Sequence, residues 1–167
     1  MSEMYHYSPE DIIIMLSGVS IGGMAEGTFI SISKESPSFT TKVSSDGVVS
    51  RGYTNSPIYS VTLTLHSASP SNDVLTDFWL ADESSRRGFF SVLIKDPLGS
   101  SLFDASAGWI TKTPNMEFGD KISNREWTLT CIQSNVNFGG NGVASERFED
   151  VLSTPIGRIA TGIGNLL

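Results

Sequence analysis

Residues 59–66 read Tyr-Ser-Val-Thr-Leu-Thr-Leu-His, a strict alternation that constrains the fold more than any other stretch. Val61, Leu63 and Leu65 fall on one face, and Thr62, Thr64 and His66 on the other. Period two is the pattern of a strand with one buried side. It recurs along the chain. Ile30 and Ile32 oppose Ser31 and Ser33 within residues 29–34, and residues 39–43 alternate as well. Trp127, Leu129 and Cys131 oppose Thr128, Thr130 and Ile132 within residues 125–133. Several such segments separated by turn residues predict a mainly β domain.

Turn chemistry joins the segments. Asp11 to Leu16 is a short β-branched apolar run that ends at Ser17-Gly18, with Val19-Ser20-Ile21 as the returning strand. Residues 39–43 run into Ser44-Ser45-Asp46-Gly47, where Asp-Gly is expected to supply the positive φ angles of a tight hairpin. The chain then returns through residues 48–51. This hairpin has few apolar anchors and is expected to project from the body. Residues 89–95 form a strand that stops at Asp96-Pro97-Leu98-Gly99, a turn signal. Residues 101–104 and 107–112 read as two further strands.

Once, the period changes. Val74, Leu75, Phe78, Trp79 and Ala81 recur at helical spacing, with Asp77, Asp82 and Glu83 on the other face. Ser69-Pro70 supplies an N-cap and a first helical residue, and Asp73 complements the helix N-terminus. The pattern predicts one helix over about residues 70–83, covering an open face of the sheet. Strands, one helix, then strands give a β-sandwich or barrel with one flanking α-helix.

Bulk properties narrow the function. The chain has 167 residues, which suits one core. Only 17% are charged, below the ordinary share of about 25%, with Ser, Thr, Asn and Gly in their place. Such a surface suits coverage by other protein. The net charge of −7 argues against binding a phosphate backbone through charge neutralisation; equally, it is ordinary acidity that favours solubility. Cys131 stands alone, so no internal disulfide forms. No run of 18 apolar residues exists and the N-terminus lacks a signal-peptide pattern. No membrane partner is expected, and synthesis in a cytoplasm is.

A search for chemistry comes back empty. His6 and His66 have no ligand-spaced neighbours, so no metal site is expected. Cys131 reads as a small buried hydrophobe rather than a nucleophile. The glycine clusters at 18–23 and 139–142 lack the Lys-Ser/Thr of a phosphate loop and read as turns. No catalytic residue and no cofactor are expected, which favours a structural or interaction protein over an enzyme.

Three stretches, taken in order, resemble a known family. Tyr7-Ser8-Pro9-Glu10-Asp11 opens the first strand. Ser69-Pro70-Ser71-Asn72-Asp73-Val74-Leu75 opens the helix. Pro114-Asn115-Met116-Glu117-Phe118-Gly119 precedes Ser123-Asn124-Arg125-Glu126-Trp127. Together with Phe29-Ile30 and Lys95-Asp96 they resemble the tail-tube proteins of contractile-tailed bacteriophages over about residues 7–142. The resemblance implies a tube fold like that of the Hcp-like tubes of secretion systems. It implies six copies in a ring, rings stacked into a tube inside a sheath, and double-stranded DNA passing through the lumen without specific binding. A baseplate, a tape-measure protein and a tail terminator are the further partners it implies, and a virion tail the location.

On that reading residues 1–142 form the tube domain. Residues 143–167, apolar but glycine-rich, form a C-terminal extension expected to dock on a neighbouring subunit. The projecting hairpin suits an inter-ring contact through Phe39, Lys42, Asp46, Gly47, Arg51 and Tyr53. Ser31, Ser33, Thr62 and Thr64 suit the lumen, although an ordinary solvent-facing sheet side gives the same pattern. Two other classes remain open at this point. One is a monomeric β-sandwich binding module that recognises carbohydrate or protein through Trp109 or Trp127. The other is a hydrolase assembled from distant residues.

Overall fold

A computed structural model describes residues 4–141, so residues 143–167 of the expected extension lie outside the described residues. A short 3-10 turn, Pro9–Asp11, leads into β1 (Ile13–Leu16) and β2 (Val19–Ser20). Then follow β3 (Ile30–Lys34), β4 (Phe39–Val43), β5 (Val49–Tyr53), β6 (Tyr59–His66), α1 (Ser71–Ser85), β7 (Phe90–Lys95), β8 (Leu102–Lys112) and β9 (Asn124–Asn137). Seven strands make one antiparallel sheet in the order β2-β1-β7-β8-β9-β6-β3, while β4 and β5 form a separate two-stranded ribbon. The protein is mainly β with one flanking helix, as the alternation predicts.

The sheet curls on itself. In a flat sheet β3 and β7, four strands apart, would be separated by about 19 Å. Instead Ile30 and Ile32 of β3 line one cleft with Ile94 of β7 and Phe103 of β8. The Tyr59 and Phe103 rings, on β6 and β8, meet edge-on at 5.7 Å between centroids. Inside lies a single core that includes Leu16, Val61, Leu63, Leu65, Val92, Ala105, Leu129 and Cys131, each fully buried.

The strand β8 corrects the sequence reading. Residues 101–104 and 107–112 belong to one 11-residue strand rather than two. The buried positions change parity along it: Phe103 and Ala105 are odd, Gly108 and Ile110 even. The change falls where the register against β7 shifts, Phe90 pairing with Gly108 and Val92 with Ala105. A bulge of this kind turns a strand so that its inner face continues round the curl. It breaks simple alternation, which is why the strand reads as two. For the same reason β9 extends past Gln133 to Asn137.

The two hairpin turns also differ. Ser17 (φ 47°) and Gly18 (φ 82°) both occupy the left-handed region, and Leu16 pairs with Val19 across them. This is the two-residue turn that matches strand twist. The β4–β5 turn is longer, because Val43 pairs with Val49. There only Gly47 has a positive φ, at 84°, and Asp46 does not. Asp46 acts through its side chain instead, accepting hydrogen bonds from Ser44 Oγ and from the Val48 N–H.

The helix runs two residues past its expected end. Ser69 Oγ accepts from the Ser71 N–H at 3.2 Å and donates to the Gly22 carbonyl at 2.7 Å. Leu75 is fully buried, and Phe78 packs on Phe90 with centroids 5.0 Å apart. Buried Asn72 anchors the first turn. Its Oδ1 accepts from Trp127 Nε1 at 3.0 Å, and its Nδ2 donates to the carbonyls of His66 and Ser69, each at 3.0 Å. Among the described residues no helix is long and apolar enough to cross a membrane.

Candidate assembly surfaces

The hydroxyl-bearing residues singled out in the sequence come together. Ser31 pairs with Thr62, and Thr62 with Thr128, across β3, β6 and β9. Ser33 pairs with Ser60, Ser60 with Thr130, and Thr130 with Trp109 of β8. Thr64 lies further along the same face, opposite Glu126. Strict pairing of like positions places all of them on the side away from the core. Ser31 and Ser33 are exposed, and Thr62 and Thr64 half-buried. The patch is wider than the four residues expected, because Ser60, Thr128 and Thr130 join it. Their alternation within β6 and β9 was visible in the sequence; the pairing that aligns them was not. Thr111 and Thr130 hydrogen bond through their hydroxyls on this face.

The patch borders an open edge. The strand β3 ends the sheet and pairs with β6 along all five of its residues. At the other end, β2 pairs only with β1 among the described strands. Unpaired strand edges present rows of N–H and C=O groups that template further pairing.

The β4–β5 ribbon is exposed along both strands. Of the six residues expected at an inter-ring contact, Phe39, Arg51 and Tyr53 share one face, by the pairings Phe39 to Tyr53 and Thr41 to Arg51. Val43 and Val49 extend that face and were missed by reading the tip as polar. The Phe39 and Tyr53 rings lie 5.3 Å apart, and the Arg51 guanidinium sits 3.6 Å from the Phe39 centroid. Lys42 belongs to the opposite face with Ser50, and Asp46 and Gly47 to the tip. The Asp46 carboxyl is held below its ordinary value, first by the Ser44 hydroxyl and then by the Val48 backbone. The structure therefore brings three of the six into one apolar patch and leaves three apart.

The β8–β9 connection adds a surface that composition did not reveal. Met116, Phe118 and Ile122 are 69%, 87% and 69% exposed. Single exposed apolar residues are common, but three within seven positions form an exposed apolar cluster.

Residues considered for other functions fall out of reach. Trp127 is 3% exposed with its N–H bonded to Asn72, so it offers no face to a carbohydrate. Trp109 is half-buried on the hydroxyl face. Cys131 is fully buried, and burial pushes its thiol up to about 12, so it is no thiolate nucleophile at neutral pH. The His66 Nδ1 accepts from the Ala68 N–H at 3.4 Å.

No protein-family model matches the chain. Structural protein ORF10 of Pseudomonas phage KPP10 is 29% identical over 155 residues, covering 88% of this chain and 90% of that one. The tube-terminating cap of the anti-feeding prophage has a similar fold, with a TM-score of 0.54 at 14% identity, over 82% of this chain and 94% of that one. The sheath–tube complex of the PVC extracellular contractile injection system gives 0.52 at 14% identity, over 80% and 92%. Its sheath/tube terminator also gives 0.52 at 14% identity, over 80% and 98%. The fold is similar to that of components of contractile injection systems, and the sequence is similar to that of a phage structural protein.

Proposed function

We propose that this chain is a non-catalytic structural subunit of a contractile phage tail, forming hexameric rings that stack into the tube. The observation that carries the reading is a curled sheet, similar in fold to components of contractile injection systems, whose end strands β2 and β3 have no outer partner among the described strands. Pairing these edges between neighbouring copies satisfies the backbone groups and closes a ring. The hydroxyl face beside β3, with Ser31, Ser33, Thr62 and Thr64, then lines the lumen. Hydroxyls and a net charge of −7 let double-stranded DNA pass without holding its phosphates. The β4–β5 ribbon reaches the next ring through Phe39, Arg51 and Tyr53, with Lys42, Asp46 and Gly47 at its margin. A sheath surrounds the tube, a baseplate and a terminator close its ends, and a tape-measure protein occupies it before DNA does. The chain is made in the host cytoplasm and ends in the virion.

A second reading is a ring that ends the tube rather than repeating along it. It is favoured by the fold similarity to a tube-terminating cap. Electron microscopy of the purified full chain separates the two. Long tubes with a central hole support the repeating subunit, and single rings support the cap. A chain that stays monomeric at high concentration and is absent from purified virions overturns both. A variant lacking residues 44–49 tests the ribbon: if it still forms long tubes, the ribbon does not stack the rings.

A further inference from the structure

Two exposed apolar clusters have no cover among the described residues, and they lie at opposite ends of one strand. The β4–β5 ribbon leaves the sheet where Lys34 of β3 pairs with Tyr59, the first residue of β6. The β8–β9 connection leaves it where Asn124 of β9 pairs with His66, the last residue of β6. Eight residues at about 3.3 Å each put the two roots on the order of 23 Å apart. Within one copy the clusters do not cover each other. A second copy displaced along the strand direction brings its ribbon to the first copy's β8–β9 end.

Charge selects the surface that fits. The ribbon face carries Phe39, Val43, Val49 and Tyr53 around Arg51. The Arg51 guanidinium lies over the Phe39 ring and has no carboxylate partner among the described residues. Over residues 39–53, Lys42 and Arg51 against Asp46 leave one net positive charge. In the connection, Met116, Phe118 and Ile122 are interleaved with Glu117 and Asp120, all five exposed. Over residues 113–123, Glu117 and Asp120 against Lys121 leave one net negative charge. Phe89, exposed just before β7, fits less well, because it follows Arg86 and Arg87, which repel Arg51. Met4 and Tyr7, exposed near Glu10 and Asp11, belong to the other end of the sheet, where β1 begins at Ile13 opposite Lys95, the last residue of β7.

We infer that the ribbon of one copy docks on residues 116–122 of the copy stacked against it, with Arg51 facing Glu117. The inference rests on the tube reading above and names the surface that the ribbon meets there. Each copy offers one cluster of each kind, so the contact is head-to-tail and repeats along a line. Burial of the apolar side chains supplies the adhesion, and the opposed charges set which surface meets which.

Disulfide trapping in the full chain tests it. Val49→Cys and Phe118→Cys, both at exposed positions, are made separately and together and oxidised with copper–phenanthroline, while Cys131 stays buried in all of them. The expected result on a non-reducing gel is a dimer when the two single variants are mixed, none from either alone, and a ladder from the double variant. A dimer from Val49→Cys alone puts ribbon against ribbon, and a faster-migrating monomer from the double variant puts the clusters together within one chain; either overturns the inference. Absence of any bond in preparations that form tubes overturns it and leaves the tube reading standing, whereas a parent chain that forms no tubes overturns both. Charge reversal gives an independent measure. Arg51→Glu is expected to shorten tubes at least several-fold, and adding Glu117→Arg to restore them. Unchanged tubes with the first variant, or an equal loss in both, overturn the inference, since a merely structural role of Arg51 is not rescued from the far end of the sheet.

Discussion

The strand β6 and the β4–β5 ribbon are built from similar alternating residues, yet they stand in opposite conditions. In β6, Val61, Leu63 and Leu65 are completely buried, with partners on both sides from β3 and β9. In the ribbon, Phe39, Val43, Val49 and Tyr53 form an equally apolar face that nothing among the described residues covers. An isolated two-stranded hairpin is marginal in water, so its apolar face stabilises it only where another surface meets it. The first region holds the fold together; the second is the one to which the proposed assembly assigns contact between subunits. Substitutions in the two should therefore separate stability from assembly.

The largest effect belongs to the core. Leu63→Ala deletes a fully buried side chain and is expected to cost about 2–5 kcal/mol. Urea denaturation should show the midpoint fall with little change in slope. A loss below about 1 kcal/mol would mean that β6 does not hold the curl together.

Those core residues were legible in the sequence because alternation reports burial directly. Val61, Leu63 and Leu65 announce themselves, as do Leu129 and Cys131, and the β6 boundaries agree with the structure at both ends. The helix was legible from its change of period. What failed to show was whatever depends on pairing between distant strands. The bulge in β8 reverses the parity of Phe103 and Ile110 and makes one strand look like two. The hydroxyl patch was visible as separate rows but not as a surface, since alignment of Ser33, Ser60 and Thr130 is a matter of register. The ribbon's Val43 and Val49 were overlooked because their exposure is a property of the fold, not of their residue type.

Asn72→Ala comes next, because it removes three hydrogen bonds and strands the buried Trp127 N–H, while the His66 and Ser69 carbonyls keep the backbone N–H groups of Ser69 and Asn72. Buried polar groups left unpaired cost about 1–3 kcal/mol. A fall of about 2–3 kcal/mol in unfolding free energy is expected, with Trp127 fluorescence reporting the change locally. Sequence reading placed Asn72 in the first helical turn but had no means of seeing its partner 55 positions away.

Phe39→Ala reverses the balance. It removes the Tyr53 ring contact and the Arg51 cation–π contact, each worth about 0.5–1.5 kcal/mol at most in so exposed a place. Thermal unfolding should shift by a few degrees at most. If the ribbon stacks the rings as proposed, tube length in electron micrographs should collapse, since its apolar face loses the Phe39 ring at its base. A large loss of stability with tubes intact would invert the contrast between ribbon and core.

The smallest effect belongs to Asp46 at the ribbon's tip. Its folded-state value is lowered by the hydrogen bonds from Ser44 and Val48, so the carboxylate form favours the folded turn. That contribution is fully present above the ordinary value of 3.8 and is lost as pH falls through the lower, folded-state value. Between pH 5 and 8 the turn should be insensitive to this group. Nuclear magnetic resonance of the Gly47 and Val48 amides should therefore stay flat across that range and move only in acid, and Asp46→Asn should abolish the acid transition. The same variant leaves the core untouched, so its unfolding free energy at neutral pH should fall only slightly, by the small contribution of the carboxylate to the turn. A titration of these amides near neutrality would mean that some group other than Asp46 sets the turn, and the ribbon would no longer be a self-contained element awaiting a partner.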